Sequence, residues 1–376
     1  MLLWLFVSCS SAVKTVSDNV EDSASGSASI SEPSASNEPS SPTSEPSSAP
    51  SPEPTAEPTE EPAAEPAEEP PPEPAQIVRF IAMGDGGEGN TAQYDNGLAI
   101  AELCENKTDE QAGCDFVLYL GDNFYDEGVS SVTDNQFNTK FEYPYEPLSI
   151  PFYVVLGNHD YGGCLFGQCG TGWDFELSQY QIDYSDISDK WTMPAEYYTF
   201  VQEHVEFFGL DTNAMMWDPW FDSAEDQKPW MEEAIANSTA TWKIAFGHHP
   251  YISNGRHGNA GTYEGLDWLA DWSIAEVPIG VGVKDFMDAY ICGQMDLYLA
   301  GHDHNRQWLE PTCGTEFIVS GAAAKTTSLE NRGNSTFFED DQIEGFIWIE
   351  IRDLCMTGEF YDSSGSLEFE QGYCKE

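Results

Sequence analysis

With 376 residues the chain has room for one large domain or two small ones, and 66 acidic residues against 14 basic ones give it a formal charge of −52. Fourteen of those acids and one base, Lys14, precede residue 76, so the remainder carries 52 acids against 13 bases and a charge near −39. So acidic a surface argues against nucleic acid or an anionic membrane as partner and fits an exported protein from a salty environment.

Taken in order, the chain opens on a short apolar run, Leu2 to Val7, closed by Ser8 and Cys9. It resembles the end of a bacterial lipoprotein signal, although the usual positive n-region is missing, and it is too short to span a bilayer. On that reading residues 1–12 are a signal segment and Cys9 carries a lipid that attaches the protein to a membrane. Residues 13–75 are Ser, Pro, Glu and Ala with almost no large apolar side chain. Such a segment cannot bury enough surface to offset its ordering entropy, and proline with like-charge repulsion makes it a disordered, extended linker. One folded domain over 76–376 is expected to follow.

Nine cysteines point to the same export. With Cys9 set aside, eight remain in pairs close in sequence: Cys104/Cys114, Cys164/Cys169, Cys292/Cys313 and Cys355/Cys374. Eight cysteines allow many connectivities, of which sequential pairing is the simplest. No Cys-x-x-Cys spacing suggests zinc, and disulfides formed in an oxidising compartment are the simpler account.

From residue 76 apolar strands alternate with helical or loop stretches, which implies an α/β domain. Residues 77–82 read as a strand that breaks at Met83-Gly84-Asp85-Gly86-Gly87, and 95–105 has helical spacing. Residues 116–120 and 152–156 are the next strands, ending in Gly121-Asp122-Asn123-Phe124-Tyr125 and Gly157-Asn158-His159-Asp160. A hairpin is expected over 197–201 and 205–210, a short helix over 230–236, and a strand over 241–246 ending in Gly247-His248-His249-Pro250. Residues 296–300 end in Gly301-His302-Asp303-His304, and 316–320 and 346–351 are expected to finish a second sheet.

Five strands thus end in a glycine beside Asp, Asn or His, and six of the seven histidines lie in or just after these turns, His204 in the hairpin excepted. The carboxyl ends of strands are where open α/β sheets place their ligands. A single such turn is commonplace; the recurrence is the signal. Asp122 has two oxygens and can bridge two cations, and a Tyr125 phenolate suits trivalent iron better than zinc. Imidazole, amide oxygen and carboxylate suit a borderline divalent ion, so the set divides into two unlike metal sites.

In these motifs the chain resembles the metallophosphoesterases of the purple acid phosphatase family, of the small tartrate-resistant type, over most of 77–325. The resemblance implies a four-layer α/β/β/α sandwich of two mixed sheets. It implies a ferric ion on Asp85, Asp122, Tyr125 and His304, and a divalent ion (Fe(II), Zn or Mn) on the shared Asp122 with Asn158, His248 and His302. General calcineurin-like phosphoesterases carry a histidine where Gly87 stands and supply it to the first metal; here Tyr125 is the replacement. The activity implied is acid phosphatase: hydrolysis of small-molecule phosphate monoesters by a metal-activated hydroxide. His159 and His257 match the family's histidines for phosphate binding and leaving-group protonation, although His159 could equally fix a ligand and His257 sits in a Gly-rich loop. A phosphodiesterase or nucleotidase on the same core, or a surface binding protein with a retired core, are the alternatives. A monomer is expected.

His249 stands where relatives often have Tyr, and Cys164 to Cys169 is expected to close a small loop after Asp160 that leaves the substrate open. Asn106, Asn237 and Asn334 open Asn-x-Ser/Thr triplets that chance alone would explain.

Overall fold

A computed structural model describes residues 75–108, 112–165, 168–221, 224–263 and 280–375. The expected signal segment, Cys9 and all but the last residue of the linker lie outside the described residues. In chain order the elements are β1 (Ile77–Met83), α1 (Thr91–Asn106), β2 (Phe116–Leu120), β3 (Phe152–Val155), α2 (Asn158–Tyr161), β4 (Cys164–Leu165), β5 (Gln168–Cys169), α3 (Ser178–Tyr184), β6 (Trp191–Thr192), β7 (Tyr198–Gln202) and β8 (Val205–Gly209). There follow α4 (Thr212–Phe221), α5 (Gln227–Asn237), β9 (Trp242–Phe246), α6 (Val281–Phe286), β10 (Leu297–Ala300), β11 (Arg306–Thr312), β12 (Thr315–Ser320), β13 (Thr336–Asp340), β14 (Gly345–Arg352), β15 (Cys355–Asp362) and β16 (Leu367–Cys374).

Two seven-stranded sheets form, ordered β16-β15-β14-β1-β2-β3-β6 and β13-β11-β12-β10-β9-β8-β7. Both are mixed. In the first, β1, β2, β3 and β6 run parallel and β14 to β16 extend them antiparallel. In the second, β8, β9, β10 and β12 are parallel, with β7, β11 and β13 antiparallel at the flanks.

Strand alternation sends successive side chains to opposite faces, and each face finds a cover. Val78, Phe80 and Ala82 of β1 face Phe207, Ile244, Phe246, Leu297 and Leu299 of the other sheet across the central core. On its far side the first sheet buries Ile81, Met83 and Tyr119 under Ile100 of α1 and Tyr184 of α3. The second sheet buries Phe208, Ala245 and Tyr298 with Met215 of α4, Met231 of α5 and Phe286 of α6. The four layers α/β/β/α that the resemblance implies are present.

One expected placement is corrected. Residues 346–351 do not finish the second sheet; β14 joins the first, antiparallel to β1 with Ile349 opposite Phe80. Phe346 and Trp348 pack under the helices while Ile347, Ile349 and Ile351 enter the central core. A run apolar on both faces identifies a buried strand but not the sheet it enters. Helix α1 begins at Thr91, earlier than its apolar spacing indicates, because Asn90 caps it, accepting from the Gln93 amide at 3.0 Å. Its first turns face inward with polar groups: Gln93 donates to the Lys140 carbonyl at 2.6 Å and Asn96 to that of Ala323 at 2.7 Å.

All four sequential disulfides form. Cys104–Cys114 ties the end of α1 to the start of β2, and Cys355–Cys374 joins β15 to β16. Among the described residues no helix is long and apolar enough to cross a membrane.

Candidate metal centre

The two sheets deliver their parallel strands' carboxyl ends to one edge. Asp85 follows β1, Asp122 and Tyr125 follow β2, and Asn158 with His159 opens α2 after β3. His248 follows β9, and His302 and His304 follow β10 from the other sheet. Three of these residues hold left-handed backbone without being glycine: Asp85 at φ 61°, Asp122 at φ 53° and His302 at φ 70°. Such conformations are sparsely populated for L-residues and persist where the surroundings over-determine them.

Glycine makes the close approach possible. A Cβ on Gly87 would lie 2.3 Å from the Asn123 carbonyl carbon and 2.4 Å from the Phe124 nitrogen, so no side chain fits at that position. A Cβ on Gly301 would lie 2.6 Å from Asp85 Oδ2, which instead accepts the His302 amide at 2.8 Å.

The side chains converge in two overlapping groups. The Tyr125 hydroxyl stands 2.9 Å from Asp85 Oδ1, 2.9 Å from Asp122 Oδ2 and 3.2 Å from His304 Nε2. His248 Nε2 lies 3.5 Å from Asp122 Oδ2, 3.2 Å from Asn158 Oδ1 and 3.1 Å from His302 Nδ1. Asp122 Oδ2 is common to both groups. The partners behind this layer fix the orientation. His248 Nδ1 faces the Leu120 carbonyl at 2.9 Å, which turns Nε2 inward, and Asn158 donates its amide to the Gly170 carbonyl at 2.7 Å, which turns its oxygen inward. Asp122 Oδ1 accepts the His159 amide at 2.9 Å.

Asp85 and Asp122 are buried, and among the described residues neither is paired with a lysine or arginine. A buried carboxylate without a cation is expensive. Burial raises the Asp122 carboxyl and the neighbouring His248 and His159 outweigh it, holding the group well below the usual carboxylate range. Burial pulls His248 down, but Asp122 and Asp85 hold it up to about 9. Burial and the same two carboxylates push the Tyr125 phenol well above its ordinary value. In the protein alone Tyr125 thus keeps its proton beside Asp85 and Asp122, and imidazole nitrogens of His248 and His302 face each other. Every feature of this donor set, two carboxylates, a phenol, an amide oxygen and three imidazoles, fits a pair of cations. The buried triplet Asp85, Asp122 and His248 offers ligand atoms all within 4.8 Å of one another.

The other histidines line the same edge. His159 is half-buried, its ring 4.4 Å from that of Tyr125 and its Nδ1 2.7 Å from the Asp126 carbonyl. The His257 ring lies 4.2 Å from that of His302, tilted by 36°, and its amide donates to Asp303 Oδ1 at 2.8 Å. His249 is buried with its ring 4.5 Å from His302 and its Nδ1 2.9 Å from the Thr212 hydroxyl. His204 stays apart, its Nε2 bonded to the Asp353 carbonyl at 2.9 Å.

Three further residues join the site. Asp303 lies inside the His302-Asp303-His304 turn and also accepts the Ser253 hydroxyl at 2.5 Å, so it ties the loop of His257 to the ligand-bearing turn. Lys325 Nζ sits 3.2 Å from the centre of the Tyr125 ring and 2.6 Å from Glu88. Lys140 donates to the Tyr125 carbonyl. Asp303 was findable from its neighbours, whereas Lys140 lies outside every strand-end turn and carried no signal.

The sequence matches the calcineurin-like phosphoesterase family over residues 78–306. The chain is 27% identical over 323 residues to human tartrate-resistant acid phosphatase type 5, covering 78% of this chain and 89% of that protein. It is 28% identical over 313 residues to purple acid phosphatase 4 of Arabidopsis thaliana, covering 77% and 81%. Among solved structures, GAP50, described as the anchor in the inner membrane complex of Plasmodium, shares the fold at TM-score 0.61 and 21% identity over 80% of this chain and 90% of that one. The relatives named acid phosphatases support phosphoesterase activity at a dinuclear metal centre. The chain belongs to the calcineurin-like phosphoesterase family and within it is purple acid phosphatase-like.

Proposed function

We propose that this protein is an acid phosphatase that hydrolyses phosphate monoesters, with a ferric ion held by Asp85, Asp122, Tyr125 and His304 and a divalent ion held by Asp122, Asn158, His248 and His302. The observation that carries this reading is the sharing of Asp122 Oδ2 between a phenol-bearing group and an imidazole-bearing one. Two cations so held would supply Lewis acidity toward the phosphate oxygens and would lower the pKa of a water, help that a reaction among the slowest uncatalysed requires. The chain's own residues do the rest. His159 spends Nδ1 on the Asp126 carbonyl, which leaves Nε2 for a phosphate oxygen. His257, fixed through its amide by Asp303 and packed against His302, protonates the ester oxygen as the alcohol leaves. Asn158 is locked by Gly170, at the exit of the Cys164–Cys169 loop, so that loop positions a ligand.

Four disulfides support export to an oxidising compartment. With residues 1–12 as signal, a lipid on Cys9 and 13–75 as spacer, the catalytic domain would stand off a cell surface as a monomer. Mass spectrometry of the N-terminal peptide from the membrane fraction checks the lipid.

The decisive experiment pairs metal analysis with turnover of p-nitrophenyl phosphate and bis(p-nitrophenyl) phosphate. Iron plus one divalent ion per chain and faster monoester hydrolysis are expected. Preference for the diester would replace the phosphatase by a phosphodiesterase, and failure to hydrolyse either with both metals bound would favour a retired core.

A further inference from the structure

Lys325 brings to the site a cation that ligand chemistry does not require. Lys325 Nζ lies over the face of the Tyr125 ring, 3.2 Å from its centre, in the arrangement by which an ammonium is attracted to an aromatic quadrupole. Its place is fixed from both sides in sequence. Ala323 donates its amide to the Gly84 carbonyl at 3.2 Å, Ala324 accepts from Asn90 at 2.8 Å, and Thr327 donates to the His304 carbonyl at 2.7 Å. The segment bearing Lys325 is therefore stitched to the turns that carry Asp85 and His304. Glu88, three residues after Asp85, holds the ammonium at 2.6 Å. Both partners are about a third exposed, Lys325 at 30% and Glu88 at 29%, while Tyr125 is 3% exposed. The ammonium thus contacts a ring that solvent barely reaches.

We infer that Lys325, backed by Glu88, is a positioning and tuning residue for the Tyr125 phenolate as a metal donor. This rests on the reading of Tyr125 as a ligand to ferric iron. A unit positive charge beside the ring stabilises the filled orbitals from which a phenolate donates. It weakens that donation and raises the energy needed to move an electron from ring to metal. The distance is far inside any Debye length, so salt does not erase the effect. Second-layer groups of this kind tune a metal without touching it. Lys140 differs in that it reaches the Tyr125 carbonyl and not the ring face. Glu88 moderates the charge, so the pair sets an intermediate donor strength and with it the balance between ferric and ferrous iron.

The experiment is the visible spectrum and reduction potential of the iron-loaded protein in wild type, Lys325→Met, Lys325→Arg and Glu88→Gln. Lys325→Met removes the charge and should move the phenolate-to-iron band to longer wavelength and lower the potential. Lys325→Arg, which keeps a cation on the ring, should leave both close to wild type. Glu88→Gln leaves the ammonium uncompensated and should move both in the opposite direction to Lys325→Met. Far-UV circular dichroism checks that each variant is folded, and Lys228→Gln, remote on α5, is the control. A violet protein whose band and potential are the same in Lys325→Met and Glu88→Gln overturns the inference and leaves the ligand assignment standing. An iron-loaded wild type with no such band removes the Tyr125 ligand and the inference together.

Discussion

At the scale of single residues, the site is built from side chains whose backbone has little choice. Tyr125 supplies the one phenol, and its hydroxyl touches Asp85, Asp122 and His304. Tyr125→Phe should therefore bleach the visible band while retaining the divalent ion, with activity partly surviving because the tyrosine does not bridge. Asp122→Asn should lose both metals, since it serves both groups; metal content by mass spectrometry reads the two variants side by side. Gly87 gives a purely steric counterpart. Its Cβ would collide with the Asn123–Phe124 peptide, so Gly87→Ala should lower stability by about 1–3 kcal/mol and weaken iron retention without altering any ligand. A Gly87→Ala protein with normal melting temperature and iron content would refute the account of that turn.

At the scale of elements, two features connect the strands to conditions the protein meets. The β15–β16 hairpin is the outer end of the first sheet, and Cys355–Cys374 closes it across 19 residues. Replacing both cysteines by serine should cost about 2–4 kcal/mol. Thiol titration of a denatured wild-type fragment of residues 76–376 should find no free thiol, and two or more per chain would contradict the pairing. The second feature is Asp211, between β8 and α4, which is buried, accepts the Tyr161 hydroxyl at 2.5 Å and the Ala214 amide at 2.9 Å. Burial pushes its carboxyl up to about 7 against the pull of the Tyr161 hydrogen bond. The folded state thus binds this proton more tightly than the unfolded chain, whose carboxyl titrates near 3.8. Its contribution is fully present below that value and is lost as pH rises toward about 7. Stability should fall across this window, by up to about 1.4 kcal/mol per pH unit from this group. Denaturant melts at pH 5 and pH 7 should differ less in Asp211→Asn than in wild type, and equal differences would dismiss the assignment.

For the molecule as a whole, charge is the dominant fact. The region from residue 76 carries a formal charge near −39, yet Lys140 and Lys325 of its 13 bases meet at Tyr125, and Arg332 holds the carbonyls of Gly255 and Arg256 next to His257. A phosphate ester would approach through a repulsive far field toward an edge where Lys140, Lys325 and Arg332 stand among acidic neighbours such as Glu88. Salt shortens the Debye length from about 30 Å at 0.01 M to about 8 Å at 0.15 M, which screens distant carboxylates more than groups the substrate touches. For a dianionic monoester kcat/KM should accordingly rise with added sodium chloride at low ionic strength, and a monoanionic substrate should respond less. A monotonic fall for the dianion would mean that the rim alone governs the encounter.

By itself the sequence determined the strands that lead into the site's turns, whereas β4, β5, β6, β11, β13, β15 and β16 carried no expectation. The apolar runs before Gly84, Gly121, Gly157, Gly247 and Gly301 are continuous and glycine-bounded, and an apolar run that stops at glycine forces the next polar side chain to the sheet edge. The close sequence spacing of the cysteine pairs likewise matched the bonds, because short loops are the readiest to close. Only the tertiary structure decided sheet membership and the layer behind the ligands. Strand β14 is apolar on both faces and joins β1 through backbone hydrogen bonds that no side-chain pattern encodes. The inward Gln93 and Asn96 of α1 look like surface residues until the Lys140 and Ala323 carbonyls are seen to satisfy them. Lys325 and Glu88 are 237 residues apart, and charged residues so distant in the chain are ordinary surface groups until the fold sets one over the ring of Tyr125.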